Sequence, residues 1–135
     1  GQVRILRYVA CHDVGRAIDM QRVVGQIQGA AAQGIGYSMS EEVEVNEGIM
    51  TSTLFANYLI PTSLDLPDLE AIALELHLGK GPFGARGIGE PPIGPWAPAL
   101  ASAIQDASGI RMRRLPMTPE RILAAIHERD ATSNR

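Results

Sequence analysis

Two sites in this chain combine residue types and spacing in a way that could do chemistry. The first is Glu90, the one acid in Gly84-Ala85-Arg86-Gly87-Ile88-Gly89-Glu90-Pro91-Pro92. Its three glycines open φ > 0 conformations and let backbone approach a ligand closely. Pro91 turns Glu90 away from helical φ/ψ toward extended backbone, and the two proline rings fix the exit of the loop. The loop thus reads as one that holds a single acid rigidly at the mouth of something. The same residues would also suit a glycine-rich turn carrying a solvated acid. The second site is Gln26 with Gln33, seven apart and so on one helix face, among alanines and glycines. Such an amide can bond a polar ligand, bond a neighbouring backbone, or stay solvated.

Other constellations fall away. Gly79-Lys80-Gly81-Pro82-Phe83-Gly84 matches the dinucleotide spacing after a strand, but Pro82 interrupts it. No helix opens at Gly84 to present its N-terminus to a pyrophosphate. His12, His77 and His127 have no ligand spacing, so no metal site is assigned. His12-Asp13 lacks a nucleophile to complete a triad. Cys11 reads as a small buried residue. Glu41, Glu42, Glu44 and Glu47 read as a solvated face, and Arg111, Arg113 and Arg114 as a solvated or subunit-facing stripe.

The elements that must position Glu90 and Gln26 come from periodicity. Residues 2–10 alternate as a strand, and 11–19 form a loop ending in Asp19, a cap for a helix from Met20. Up to about Met39, Val23, Val24, Ile27, Ala31 and Ile35 recur at helical spacing. Gly25, Gly29, Gly34 and Gly36 interrupt this helix, each costing up to about 1 kcal/mol relative to Ala. Close approach of another element would account for them. Residues 41–45 and 49–55 read as a hairpin around Asn46-Glu47-Gly48, 57–62 as extended, 64–68 as a loop, and 71–77 as a strand leading into the glycine loop. A helix over 95–108 stops at Gly109. Thr118 and Pro119 open a last helix over 122–127, and 129–135 reads as an unstructured tail. The sum is an α+β fold: a small, mostly antiparallel sheet with about three helices, as one domain over 1–128.

Composition bounds the partners. Apolar residues make up 45% of the 135 and aromatics only 4%, so aliphatics must fill the core. A net charge of −3 with both signs mixed leaves no footprint for nucleic acid. No apolar run reaches the roughly 18 residues of a membrane helix. A single cysteine rules out an internal disulfide and suits a reducing compartment. A cytoplasmic location is expected, or a periplasmic one for an exported, assembled complex.

Taken in order, four stretches resemble the C-terminal part of the large subunit of the xanthine dehydrogenase/aldehyde oxidase family, the molybdenum hydroxylases. They are His12-Asp13-Val14-Gly15-Arg16; Gly25-Gln26-Ile27-Gln28-Gly29 with Gln33-Gly34-Ile35-Gly36; Glu41-Glu42; and Gly87-Ile88-Gly89-Glu90-Pro91-Pro92. Thr118-Pro119-Glu120-Arg121-Ile122 resembles the family's closing helix start. The likeness extends over about residues 3–127. It implies that Glu90 is the catalytic base beside the molybdenum and that Gln26 contacts the pterin. Arg86 stands where many members carry lysine, so the cationic character survives while the geometry differs.

The resemblance further implies a molybdenum–molybdopterin cofactor, with or without a cytosine nucleotide. Family large subunits are several times longer, so the cofactor would be bound jointly with segments absent from this chain. Iron–sulfur clusters, and FAD where used, would lie in partner domains or subunits. The expected activity is hydroxylation of an electron-poor carbon in an aldehyde or N-heterocycle, with water as oxygen source. The chain alone is expected to be inactive and, with apolar faces uncovered, to self-associate. The alternative is a non-catalytic assembly domain that keeps the fold to bind a partner.

Overall fold

A computed structural model describes residues 1–133. Strand β1 (Arg7–Asp13) is followed by the long helix α1 (Met20–Met39), then two short strands, β2 (Val45–Asn46) and β3 (Ile49–Met50). Strand β4 (Asp68–Leu74), helix α2 (Trp96–Ser108) and helix α3 (Pro119–Ser133) complete the order. The class is α+β with three helices, but the sheet differs from expectation. β1 and β4 pair in parallel, Arg7 opposite Asp68 through Asp13 opposite Leu74. Only β2 and β3 are antiparallel, through two residue pairs. The connection from β1 to β4 passes through α1, and a helical crossover returns the chain in the same direction.

Several boundaries move. β1 begins later than the alternation suggests and takes in Cys11, His12 and Asp13 as strand rather than loop. Cys11 is exposed, because it falls on the outward side of the pleat while Ala10 points inward. β4 starts and ends three residues earlier than expected. The hairpin shrinks to two residues in each strand, all of them exposed. α3 runs on through Ser133, so most of the expected tail is helical, while residues 134–135 lie outside the described residues. No Gly or Pro occurs after Pro119 to stop that helix.

α1 has the expected limits. The Asp19 carboxylate accepts from the Arg22 N–H at 3.1 Å and caps the helix. α2 ends where Gly109 takes φ 74°, a left-handed value that glycine adopts without strain. The core lies in two patches. Ala31, Ile35 and Trp96 join α1 to α2, with Tyr8 stacked on Trp96 at 3.7 Å between ring centroids. Leu100, Ile104, Ile110, Met117 and Ile122 join α2 to α3. Glu42 ties this second patch to the segment after α1, meeting Arg121 at 2.8 and 2.9 Å and Arg114 at 3.6 Å. The Arg121 hydrogen bond holds the Glu42 carboxyl below the usual carboxylate range. Glu42 therefore leaves the expected solvated face, and Arg114 is not a free member of its stripe.

Candidate functional site

The glycine loop is fastened at both ends and open in the middle. At its entry, the turn after β1 is laced into it. The Arg86 N–H donates to the Val14 carbonyl at 2.9 Å, and the Arg16 N–H to the Gly84 carbonyl at 3.0 Å. The Val14 N–H donates to Leu74 at 2.9 Å and the His77 N–H to Gly15 at 3.2 Å, so the exit of β4 joins the same turn. Gly15 has φ 67°, and a Cβ there would collide with the Gly84 carbonyl and crowd Arg86. Asp13 accepts from the Gly15 N–H at 2.9 Å and pairs through its other oxygen with the Arg86 guanidinium at 3.0 Å.

At its exit, Pro92 is fully buried, and the Ile93 N–H donates to the Glu90 carbonyl at 3.0 Å. The Tyr37 hydroxyl donates to the Ile93 carbonyl at 3.2 Å and accepts from the Ala97 N–H at 3.4 Å, tying this end to α1 and α2. Between these anchors Glu90 is exposed. Among the described residues it forms no ion pair. The prolines therefore fix the backbone at Glu90 while its carboxylate stays accessible.

Gln26 is exposed on α1, next to buried Ile27. It lines a cavity of about 460 Å³ together with Arg16, Arg86, Ile88 and Gly89. The structure thus brings Gln26 and Gly89, the residue before Glu90, to one hollow, with Arg16, Arg22 and Arg86 along its wall. A Cβ built at Gly25 or Gly29 meets nothing within 4 Å, so the helix is bare on both sides of Gln26. Gln33 lies elsewhere, in a recess with Tyr37, Glu41 and Ile93. Two larger hollows, about 740 and 570 Å³, flank the segment from Val3 to Leu6 and contain none of these groups. The first has Arg4, Ser40, Thr62, Asp65 and Asp68 among its apolar lining, the second is mostly apolar, and neither reaches the loop.

Among the described residues no three His, Cys, Asp or Glu side chains gather as metal ligands. The polar residues lining the 460 Å³ cavity are Gln26, three arginines (Arg16, Arg22 and Arg86) and Asp19, which pairs with Arg22; this mainly cationic, amide-bearing set suits the polar edge of an anionic heterocycle rather than a metal ion. These residues would fit the pterin cofactor that the resemblance implies. Sequence reading missed the Asp13–Arg86 pair and Arg16. Both lie in motifs it singled out, but no local spacing connects residue 13 to residue 86.

Comparison with known proteins supplies the context. Residues 1–67 match the family model of a molybdopterin cofactor-binding domain. A putative xanthine dehydrogenase molybdenum-binding subunit of Escherichia coli K12 is 33% identical over 128 residues, covering 93% of this chain and 17% of that protein. The crystal structure of quinoline 2-oxidoreductase from Pseudomonas putida 86 superimposes with a TM-score of 0.85 at 35% identity, covering 93% of this chain and 16% of the other. Aldehyde oxidoreductase from Desulfovibrio gigas gives 0.86 at 32% identity, covering 94% and 14%. The chain thus spans about a sixth of the length of the relatives it matches.

Proposed function

We propose that this chain, similar over nearly its whole length to part of the molybdenum-binding subunits of the xanthine dehydrogenase/aldehyde oxidase family, supplies the base-bearing wall of a molybdenum hydroxylase. In this reading Glu90 is the general base. Its carboxylate takes the proton from a water-derived hydroxyl as that oxygen adds to an electron-poor carbon of an aldehyde or N-heterocycle; the C–H bond at that carbon is the one broken, its electron pair going to the two-electron oxidant that the bound cofactor would supply. The observation that carries this is the presentation of Glu90: an exposed acid on a backbone anchored by buried Pro92, one residue past the wall of the Gln26 cavity. A base held by its backbone and left free at its oxygens can reach a proton without breaking bonds of its own.

Gln26 holds the pterin through its amide, on a helix surface that Gly25 and Gly29 leave bare. The molybdenum–molybdopterin cofactor, with or without its cytosine nucleotide, supplies the two-electron redox chemistry when bound jointly with segments outside this chain. Electrons leave toward an iron–sulfur domain or subunit, with FAD where the complex uses it. The rest of the large subunit is the covering partner. In support, Leu64 is 94% exposed, Phe83 80% and Phe55 79%, far more than a finished surface needs. The isolated chain should therefore self-associate, and sedimentation showing a monomer with no dye-binding surface would count against this.

Glu90→Gln tests the central assignment, since it keeps size and shape but cannot accept the proton at neutral pH. In the assembled enzyme, molybdenum content should match wild type. Anaerobic reduction by substrate should slow by at least about a hundredfold, within the range a positioned base supplies. A fully loaded Glu90→Gln enzyme reduced at the wild-type rate would remove Glu90 from the mechanism and leave the assembly-domain reading standing.

A further inference from the structure

We propose that the Asp13–Arg86 ion pair is the positioning latch of the glycine loop, fixing the reach of Glu90 from the end of β1. The inference rests on the reading of Glu90 as the base, and it gives Arg86 and the turn over residues 13–16 a role.

Three chain segments meet at this point: the exit of β1, the exit of β4 and the entry of the loop. Their backbones are joined by Val14 to Leu74, His77 to Gly15, Arg86 to Val14 and Arg16 to Gly84. All four bonds converge on residues 14–16, so the turn after β1 is the common dock. The turn itself is set by the Asp13 carboxylate, which holds the Gly15 N–H at 2.9 Å. With its second oxygen the same carboxylate holds the Arg86 guanidinium at 3.0 Å. Asp13 therefore shapes the dock and grips the loop at once.

The pair is shielded on one side, with the Asp13 side chain 20% exposed and that of Arg86 44% exposed. Arg86 is steadied further by the Leu78 carbonyl at 3.4 Å. From Arg86 to Glu90 the backbone passes Gly87 and Gly89, where a Cβ would touch nothing within 4 Å. Among the described residues, nothing else holds that stretch in place until the Ile93–Glu90 turn. A loosened entry would therefore be felt at the carboxylate, since small displacements of a catalytic group cost rate steeply.

The test uses the assembled, molybdenum-loaded enzyme with three variants. Arg86→Met removes the charge and keeps the stem. Asp13→Asn keeps an oxygen for the Gly15 N–H but abolishes the charge pair. Arg86→Lys retains the charge. Hydrogen exchange at the amides of Arg16 and Arg86 reports on the latch, and kcat against KM reports on its use. Arg86→Met and Asp13→Asn should each speed exchange about tenfold and lower kcat, expressed per molybdenum bound, about tenfold with KM unchanged; metal content should match wild type in Asp13→Asn, whereas Arg86 also lines the Gln26 cavity. The double variant should be no worse than the worse single one, and Arg86→Lys should recover most of the loss. Unchanged exchange in Asp13→Asn and Arg86→Met would overturn the latch, as would additive losses in the double variant. Faster exchange with unaltered kcat would overturn the positioning role, while Glu90 as base is decided separately by the Glu90→Gln result. If Arg86→Met does not assemble, Asp13→Asn alone decides through the same two readouts.

Discussion

The two halves of α1 carry the same kind of sequence and do opposite things. In the C-terminal half, Ala30, Ala31, Gly34, Ile35, Gly36 and Ser38 are buried. A Cβ at Gly34 would overlap the Trp96 ring, and one at Gly36 would overlap the Glu41 carboxylate. In the N-terminal half only Ile27 is buried, and Gly25 and Gly29 face open space. Both halves spend helix propensity on glycine, at up to about 1 kcal/mol each. One half gains close packing of α2 in return. The other gains nothing visible within the chain, which marks it as a surface kept clear for something outside it. Gln26 sits in the middle of that clear surface.

The contrast can be broken from its packed side first, where the effect should be largest. Gly34→Ala drives a methyl into Trp96, which is 1% exposed and stacked on Tyr8 and so cannot yield. Stability should fall by about 1–3 kcal/mol, the usual range for overpacking a core. Denaturant unfolding of the assembled subunit measures it, and an unchanged midpoint would mean that Gly34 is not a packing glycine.

Gln26→Ala addresses the open side. Loss of one buried hydrogen bond to the cofactor, about 1–3 kcal/mol, should appear as lower molybdenum occupancy or slower turnover. Fold stability should not change, since Gln26 is exposed in the chain itself. If metal content and rate are both unaltered, the amide has no ligand.

Gly29→Ala is the smallest effect and the sharpest discriminator, because its two consequences have opposite signs. With nothing in the way of a Cβ, the chain should be stabilised by up to about 1 kcal/mol. Cofactor occupancy in the assembled enzyme should nevertheless fall, because the methyl enters the space kept clear beside Gln26. Stabilisation with full occupancy would show that the N-terminal half is merely uncovered. A loss of stability would show that the two halves are not different after all.

Local chemistry made much of this protein legible from its sequence. The Asp19 cap and the apolar spacing gave α1 its limits, and Gly109 ended α2, because capping and left-handed turns depend on residues a few positions apart. The loop around Glu90 was legible only in part: a proline anchors its exit, with Pro92 buried, but of its three glycines only Gly84 takes a positive φ. Tertiary structure decided what depends on distant partners. β1 and β4 are parallel because α1 lies on the path between them, and the alternation of a strand carries no information about the direction of its mate. Cys11 is exposed because the pleat, not its hydrophobicity, assigns its side. The four glycines of α1 look alike in sequence and separate only when Trp96 and Glu41 arrive at two of them. The Asp13–Arg86 pair exists because two strand ends and a loop entry converge, and that convergence belongs to the fold.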